Sequence, residues 1–186
     1  MPFPPARLTV DEIDAFPDDG NRYELVDGTL LVSPGAGRSH ERVVRRLLDA
    51  LLPYIAADPT IELATYGTVQ RRPFTRMHPD CLIYRPRPGD MSDDWDDPGE
   101  LLLAVEVSSP GTWVHDRAYK RGAYLALGVQ TVWRVDRPAR TVWVSTREAP
   151  DEVAHTTLLA WHPAGFGEPL RLDVGTLLDA TTPFDE

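Results

Sequence analysis

Residues 101–109, LLLAVEVSS, constrain the fold more than any other segment of this chain. The run is almost wholly apolar apart from Glu106, and Pro110 and Gly111 end it. Such a run is typical of a central strand that is buried on both faces. The chain must therefore cover a sheet from two sides. It must also give Glu106 a partner, either a basic side chain or a metal, because an unpaired buried carboxylate is costly.

Two helices are predicted before this strand. Residues 9–16 begin with Thr9 as the N-cap and Glu12 three positions later, which is a capping box. Ser39 is the predicted N-cap of a second helix over residues 39–56. The apolar side chains of this helix recur at helical spacing and predict one buried face. They are Val43, Val44, Leu47, Leu48, Leu51 and Ile55.

Two segments predict β-hairpins. The first, RYELVDGTLLVSP, alternates around Asp27 and Gly28, which readily supply the positive φ angles of a tight turn. In the second, TVWRVD and TVWVST flank a short loop. This ribbon either exposes Trp133 or Trp143 as a candidate interface or buries both tryptophans in the core.

Further strands are predicted over residues 60–70 and 79–86, and residues 154–161 and 169–174 are expected to be edge strands. Together with the helices, these strands predict a central sheet flanked by helices, in the α/β or α+β class, with an N-terminal hairpin.

The length of 186 residues predicts a single domain over residues 1–186. No stretch reaches the roughly 20 uninterrupted apolar residues that a membrane-spanning helix needs. The N-terminal residues contain no apolar signal core. Cys81 is the only cysteine, so no internal disulfide can form, and a cytoplasmic location is expected.

The net charge of −10 is unfavourable for a protein that holds nucleic acid mainly by neutralising phosphates. Such binding would require locally concentrated positive charge or a bound cation. Many of the acidic residues lie in the segment 90–100, DMSDDWDDPGE. This segment predicts a solvated loop rather than a dedicated metal-binding loop.

Three other charged residues predict a site for a hard cation. Asp80 opens the apolar strand CLIY, Glu106 lies in the central strand, and Lys120 is the only lysine beside 18 arginines. Mg²⁺ prefers one or two carboxylates, waters and substrate phosphate, and a lysine nearby could assist the reaction. Taken alone, Asp80 could instead cap its strand, and Lys120 could form a surface ion pair with Asp116.

A third helix is predicted from about 114 to 127, with Gly128 as its C-terminal stop. Three of its side chains recur every four residues and so share one face. If that face packs near the end of the central strand, the lysine reaches the carboxylates. These residues are Asp116, Lys120 and Tyr124.

Five segments occur in a specific order: RYELVDGTLLVSP, the histidine at position 40, PD at 79–80, AVEVSSPGTWVHDRAYKRGAYLALGV, and VWRVD. In this order they resemble the Uma-two family of predicted endonucleases, which belongs to the PD-(D/E)xK nuclease superfamily. The resemblance extends over about residues 8–180, including the C-terminal GEPLRLDVGTLLD. It implies a restriction-endonuclease-like core, with a mixed β-sheet flanked by helices and a divalent-metal site.

The resemblance also implies roles for individual residues. By position, Asp80 and Glu106 would bind Mg²⁺ or Mn²⁺, with the backbone carbonyl of Val107 as a third ligand. The superfamily pattern E-x-K would place lysine where this chain has Ser108. The resemblance therefore implies that the catalytic lysine is Lys120, moved to the following helix.

Two N-terminal residues have weaker implied roles. Glu24 would be an additional acid on the metal or water, or else a solvated glutamate of its strand. His40 occupies a family position, where a structural role at the start of a helix is favoured over a ligand role. Ser108, Asp116 and Tyr124 would support the catalytic set.

The sequence thus predicts a Mg²⁺- or Mn²⁺-dependent endonuclease that hydrolyses DNA phosphodiester bonds through metal-activated water, with RNA as an alternative substrate. A catalytically silent binding module with the same fold is the principal alternative. Hydrolysis of another phosphate ester, such as a nucleotide, is a weaker one. A symmetric homodimer would suit cleavage of both strands of a duplex.

Overall fold

A computed structural model of the protein describes residues 7–89, 94–108 and 119–179. The helices in these ranges are α1 Val10–Asp14, α2 Arg38–Ile55, α3 Arg121–Ala126 and α4 Val174–Leu178. The strands are β1 Asn21–Val26, β2 Thr29–Pro34, β3 Glu62–Ala64, β4 Val69–Arg71, β5 Thr75–Met77, β6 Cys81–Arg85, β7 Glu100–Ser108, β8 Thr131–Asp136, β9 Thr141–Thr146, β10 Val153–His155, β11 Leu158–Trp161 and β12 Leu170–Asp173. None of the described helices combines the length and the apolar character needed to cross a membrane.

Six strands form the central sheet, in the order β10-β9-β8-β7-β6-β3. β7 and β8 are parallel, and the other neighbouring pairs are antiparallel, so the sheet is mixed. β7 lies inside the sheet, and its residues from Leu101 to Ser108 are all buried. The predicted central strand and the mixed sheet flanked by helices are therefore confirmed.

The side chains of β7 point alternately to the two faces of the sheet. On one face, Ala104 packs in a small core with Tyr124 of α3. Glu106 and Ser108 follow Ala104 at the two-residue spacing of a strand, so they lie on the α3 face at the end of β7. The other face packs against α2 in the larger core, which contains Leu103, Val105 and Val107.

The N-terminal strands form a second, antiparallel sheet in the order β2-β1-β5-β4. Its hairpin turn contains Asp27 and Gly28 with φ angles of 51° and 80°, as the sequence predicts. The capping box of α1 also forms, since Thr9 and Glu12 exchange backbone and side-chain hydrogen bonds.

The predicted N-cap of α2 is wrong. The helix begins at Arg38, and its N-cap is Gly37, which has no side chain to cap it. The carbonyl of Gly37 accepts hydrogen bonds from the backbone N–H groups of His40 and Glu41. Ser39 is exposed in the first turn of the helix, whereas His40 is buried.

Two segments predicted as single strands each contain two strands. Residues 60–70 divide between β3 in the central sheet and β4 in the N-terminal sheet. A turn at Thr65 and Tyr66 separates them, and Tyr66 has a φ of 60°, which is uncommon for a residue other than glycine. Residues 154–161 divide between β10 and β11, and β11 pairs with β12 in a separate two-stranded sheet.

The sequence left open whether Trp133 and Trp143 of the second hairpin are exposed or buried, and the structure answers this for Trp133. Trp133 is fully buried in the larger core, so it forms no exposed interface. Trp143 is partly buried, and the guanidinium carbon of Arg134 lies 5.3 Å from its ring centroid.

Parts of two predictions lie outside the described residues. Residues 114–118 of the predicted third helix, including Asp116, are not among the described residues. Gly128 follows α3 with a φ of 102°, as expected for a residue that ends a helix. In the acidic segment, residues 94–100 are described and mostly exposed, and Asp96 and Asp97 form surface ion pairs with arginines.

Candidate active site

The candidate site lies where β6 begins and β7 ends. Because these strands are antiparallel, with Cys81 opposite Val105, Asp80 lies beside the last residues of β7. Its Oδ2 accepts a hydrogen bond of 2.8 Å from the backbone N–H of Val107. The carboxylate thus satisfies a backbone donor of β7 that has no partner in β6.

Glu106 meets α3 at the same end of β7. Its side chain is buried, and its Oε1 accepts hydrogen bonds from Lys120 Nζ at 3.2 Å and from the Tyr124 hydroxyl at 2.5 Å. Burial raises the pKa of Tyr124 well above its ordinary value, and the carboxylate of Glu106 adds to the shift. The hydroxyl therefore stays protonated and orients Glu106.

Glu24 approaches from the first hairpin. The side chain is fully buried, and its Oε1 accepts a hydrogen bond of 2.8 Å from the backbone N–H of His78. Its Oε2 lies 2.6 Å from Lys120 Nζ, which is an ion pair without hydrogen-bond geometry. Lys120 is consequently held between Glu24 and Glu106, and only 3% of its surface is exposed.

Asp80 has two further partners. His40 Nε2 lies 3.0 Å from its Oδ2, and the Arg22 guanidinium lies 3.4 Å from its Oδ1. Burial alone would raise the pKa of Asp80, but the contacts with His40, the Val107 N–H and Arg22 outweigh it and lower the pKa. Burial would also lower the pKa of His40, yet the hydrogen bond and charge of Asp80 raise it.

Among the described residues, the site brings together three buried carboxylates, from Glu24, Asp80 and Glu106. They face Lys120 and Arg22, which are always charged, and His40, whose pKa is raised by Asp80 against the effect of burial. Two buried oxygens, Glu24 Oε2 and Ser108 Oγ, form no hydrogen bond with any described residue. A hydrated divalent cation would fit this donor set, since it needs oxygen ligands and compensating negative charge.

A match to a protein-family model shows the family of this chain. A model of the Uma2 family, described as "Putative restriction endonuclease", matches residues 10–173. This chain belongs to the Uma2 family.

The fold is also similar to a solved structure, "a putative nuclease belonging to DUF820" from Anabaena variabilis ATCC 29413. The TM-score is 0.70 at 15% sequence identity, and the match covers 92% of this chain and 97% of the other. None of the curated protein sequences that were compared matches this chain. The structural similarity shows a shared fold, and the family match supports a restriction-endonuclease-like nuclease.

Most residues that the sequence singled out converge in this Uma2 protein. Glu24 contacts Lys120, so it is not a solvated glutamate of its strand, and His40 contacts Asp80 from the start of α2. Ser108 is buried at the end of β7. The set that the structure brings together also includes Asp80, Glu106, Lys120 and Tyr124.

The predicted metal ligands are fewer than the residues that converge at the site. Within residues 7–89, 94–108 and 119–179, no group of three or more His, Cys, Asp or Glu side chains is placed to hold a metal. The predicted set has only two carboxylates, from Asp80 and Glu106, with the carbonyl of Val107. The N–H and carbonyl of an extended residue point to the same side, so that carbonyl lies on the strand edge that Asp80 covers.

Sequence reasoning missed Arg22. Its guanidinium reaches Asp80 and also donates a hydrogen bond of 3.1 Å to the backbone carbonyl of His78. In a chain with 18 arginines, no compositional signal distinguishes it. The one available signal was the two-residue spacing from Glu24, which places both side chains on one face of β1.

Proposed function

We propose that this Uma2 protein is a divalent-metal-dependent endonuclease that hydrolyses phosphodiester bonds of DNA. The observation that carries the proposal is the meeting of Glu24, Asp80 and Glu106 with the only lysine of the chain at the end of the central strand. A buried cluster of so many charged side chains contributes little to the stability of a fold, because each ion loses hydration. A catalytic requirement would explain why the chain keeps it.

The metal ligands in this proposal are Asp80, Glu106 and the backbone carbonyl of Val107, and the ion is Mg²⁺ or Mn²⁺. The ion would polarise a phosphoryl oxygen and lower the pKa of the attacking water. Asp80 suits this role because its lowered pKa keeps it ionised. Among the described residues, its Oδ1 contacts only the Arg22 guanidinium, at 3.4 Å, so it is the oxygen most easily released.

Lys120 and Tyr124 perform different tasks. Tyr124 keeps its proton and donates a hydrogen bond to Glu106 Oε1, which holds the carboxylate in one orientation. Lys120 presents a compact positive charge between two carboxylates, from where it can stabilise negative charge that develops on the phosphate. In the hydrolysis, the oxygen of water bonds to phosphorus and loses a proton, while the bond from phosphorus to the leaving oxygen breaks and that oxygen takes up a proton.

The net charge of −10 does not prevent this function if positive charge is concentrated locally. Arg22 and Lys120 supply two charges at the site. Arg38 and Arg42 lie one helical turn apart on the exposed side of α2, and neither forms an ion pair with a described residue. They are each two residues from His40, so they lie on the opposite side of α2 from the site, and the charge at the site itself comes from Arg22 and Lys120.

A nicking assay on supercoiled plasmid tests the proposal. The wild type should cleave with Mg²⁺ or Mn²⁺ and not with chelator, and Lys120→Ala should lower the rate by about a hundredfold or more. Arg121→Ala is the matched control, because it removes the next basic residue of the chain, at the start of α3. Failure of the wild type to cleave DNA or RNA with any of several divalent metals would refute the proposal.

A catalytically silent binding module is the alternative, and two contacts of Asp80 favour it. Arg22 and His40 already neutralise Asp80 without a metal. Calorimetric titration of the wild type and Asp80→Ala with Mn²⁺ separates the two functions. A metal site requires heat of binding that Asp80→Ala abolishes, whereas a silent module predicts no binding by either protein.

The homodimer is a separate proposal, suggested by the geometry of a duplex substrate. Because Trp133 is buried within one chain, it cannot form the interface. Sedimentation equilibrium, with and without duplex DNA, would measure the oligomeric state.

A further inference from the structure

Tyr66 is an exposed aromatic residue beside the candidate site. Its exposed fraction is 52%, so a face of the ring is open to a ligand from solvent. The backbone adopts a φ of 60°, a left-handed conformation that residues with a Cβ rarely adopt. The next residue, Gly67, packs closely on Leu82 of β6, since a Cβ there would lie 3.0 Å from a methyl group of Leu82. The turn therefore fixes the backbone from which the ring projects.

Arg22 connects this ring to the carboxylates. Its guanidinium carbon lies 5.1 Å from the centroid of the Tyr66 ring, and its terminal nitrogens lie 3.4 Å from Asp80 Oδ1. The Tyr66 hydroxyl donates a hydrogen bond of 3.3 Å to Glu41 of α2. An aromatic ring, a guanidinium and a metal-binding carboxylate are thus arranged in series, from the solvent to the candidate site.

We propose that Tyr66 stacks against an unpaired base of the nucleic acid substrate while Arg22 binds the phosphate next to it. The preferred substrate is therefore a strand with unpaired nucleotides at the cleavage position, rather than a fully paired duplex. This inference rests on the proposed nuclease function and specifies its substrate.

The chemistry of the two side chains supports this assignment. In a duplex, the base faces are already stacked on their neighbours, and only an unpaired base offers a free face to an aromatic ring. Stacking on tyrosine tolerates any base, since each base has a π face. A guanidinium binds phosphate through two parallel hydrogen bonds, and Arg22 makes only long contacts with Asp80, which it can exchange for a phosphate.

Two oligonucleotides of one sequence test the inference, a perfect duplex and the same duplex with a short unpaired bulge. Cleavage rates of the wild type are measured on both with Mn²⁺. A fluorescent adenine analogue in the bulge reports stacking by loss of its emission. We expect the bulged substrate to be cleaved about tenfold faster or more, with quenching of the fluorescent base.

Variants of Tyr66 separate the ring from the backbone. Tyr66→Gly removes the ring but keeps the left-handed turn at no steric cost, so the fold is retained. This variant should remove the quenching, and its cleavage rates on the bulged and the perfect duplex should lie within about twofold of each other. Tyr66→Phe keeps the ring and loses only the contact with Glu41, so it should behave as the wild type. Leu158→Ala removes an exposed apolar side chain of β11 and serves as the control.

The outcomes separate the inference from the function on which it rests. A preference for the bulge that Tyr66→Gly abolishes and Tyr66→Phe retains would support the inference. Equal cleavage of the two substrates, or a preference that Tyr66→Gly leaves intact, would overturn it while leaving the nuclease function standing. If the wild type cleaves neither substrate nor a single strand with Mg²⁺ or Mn²⁺, the nuclease function fails, and the inference fails with it.

Discussion

Two buried ionic clusters lie on the same face of neighbouring strands. Glu106 of β7 is directly opposite Arg134 of β8 in the parallel register. Arg134 donates hydrogen bonds of 2.8 Å to Glu152 and 3.2 Å to Asp136, and its guanidinium covers Trp143. We call this set the Arg134 cluster, and we call Glu24, Asp80, Glu106, Lys120, Arg22 and His40 the site cluster.

The two clusters differ in how their members are brought together. In the Arg134 cluster, Asp136 is two residues away on the same strand, and Glu152 precedes the strand that pairs with β9. In the site cluster, the members come from the first hairpin, α2, the start of β6, the end of β7 and the segment before α3. Local contacts bring the Arg134 cluster together, whereas the long-range convergence of three carboxylates in the site cluster is the pattern on which the proposed function rests.

The largest effect is expected from removing the cation of each cluster. Lys120→Met leaves Glu24 and Glu106 buried without their partner, so it should lower the free energy of unfolding by about 3–5 kcal/mol. Arg134→Met should cost less, because the side chain of Asp136 is 21% exposed and can be hydrated. Urea unfolding at pH 7 measures both. If Arg134→Met lost as much stability as Lys120→Met or more, the proposed difference between the two clusters would be wrong.

Divalent metal should stabilise only the site cluster. At a free concentration 100 times its dissociation constant, Mn²⁺ would add about 2.7 kcal/mol to the stability of the folded protein. For a chain of this length, the melting temperature would rise by roughly 5–10 °C. Thermal unfolding of Asp80→Asn should not respond to the metal, whereas Asp136→Asn should respond as the wild type does. A response that both variants lose would contradict this assignment.

Neutralising one acid should destabilise the site cluster more than the Arg134 cluster. Both carboxylate oxygens of Glu24 face donors, the His78 N–H and Lys120 Nζ, so Glu24→Gln turns an amide NH2 towards one of them. The variant should destabilise the fold by about 2 kcal/mol and lose cleavage. Glu152→Gln replaces a charged acceptor of Arg134 and should destabilise by about 1 kcal/mol. Chemical denaturation measures both losses, and an equal or larger loss for Glu152→Gln would contradict the difference between the clusters.

An exposed ion pair provides the reference for both clusters. Arg45 and Asp49 of α2 lie 3.3 Å apart with side chains that are 65% and 57% exposed. Asp49→Asn should change the free energy of unfolding by less than about 0.5 kcal/mol, because water and salt screen such a pair. It should also leave plasmid nicking unchanged. A loss above about 1 kcal/mol would mean that exposure is a poor guide to the strength of ion pairs in this protein.

Much of the fold was predictable because its signals are local. Asp27 and Gly28 supply the positive φ angles of the hairpin turn, and Thr9 and Glu12 form their capping box within one turn of helix. The predictions failed where the backbone conformation had no matching residue type. Tyr66 adopts a left-handed conformation without being glycine, and Gly37 caps α2 although a serine lies two residues later.

The sequence by itself determined that a carboxylate lies within a buried central strand and that a single lysine follows it within one predicted helix. Apolar periodicity and residue spacing suffice for those inferences, because they are set by the backbone geometry of strands and helices. Only the tertiary structure decided which groups surround Glu106. Glu24 reaches Lys120, and Arg22 links Asp80 to Tyr66, because the N-terminal sheet packs beside the end of β7. Contacts between segments so distant in the chain depend on how the sheets pack, which no local pattern encodes.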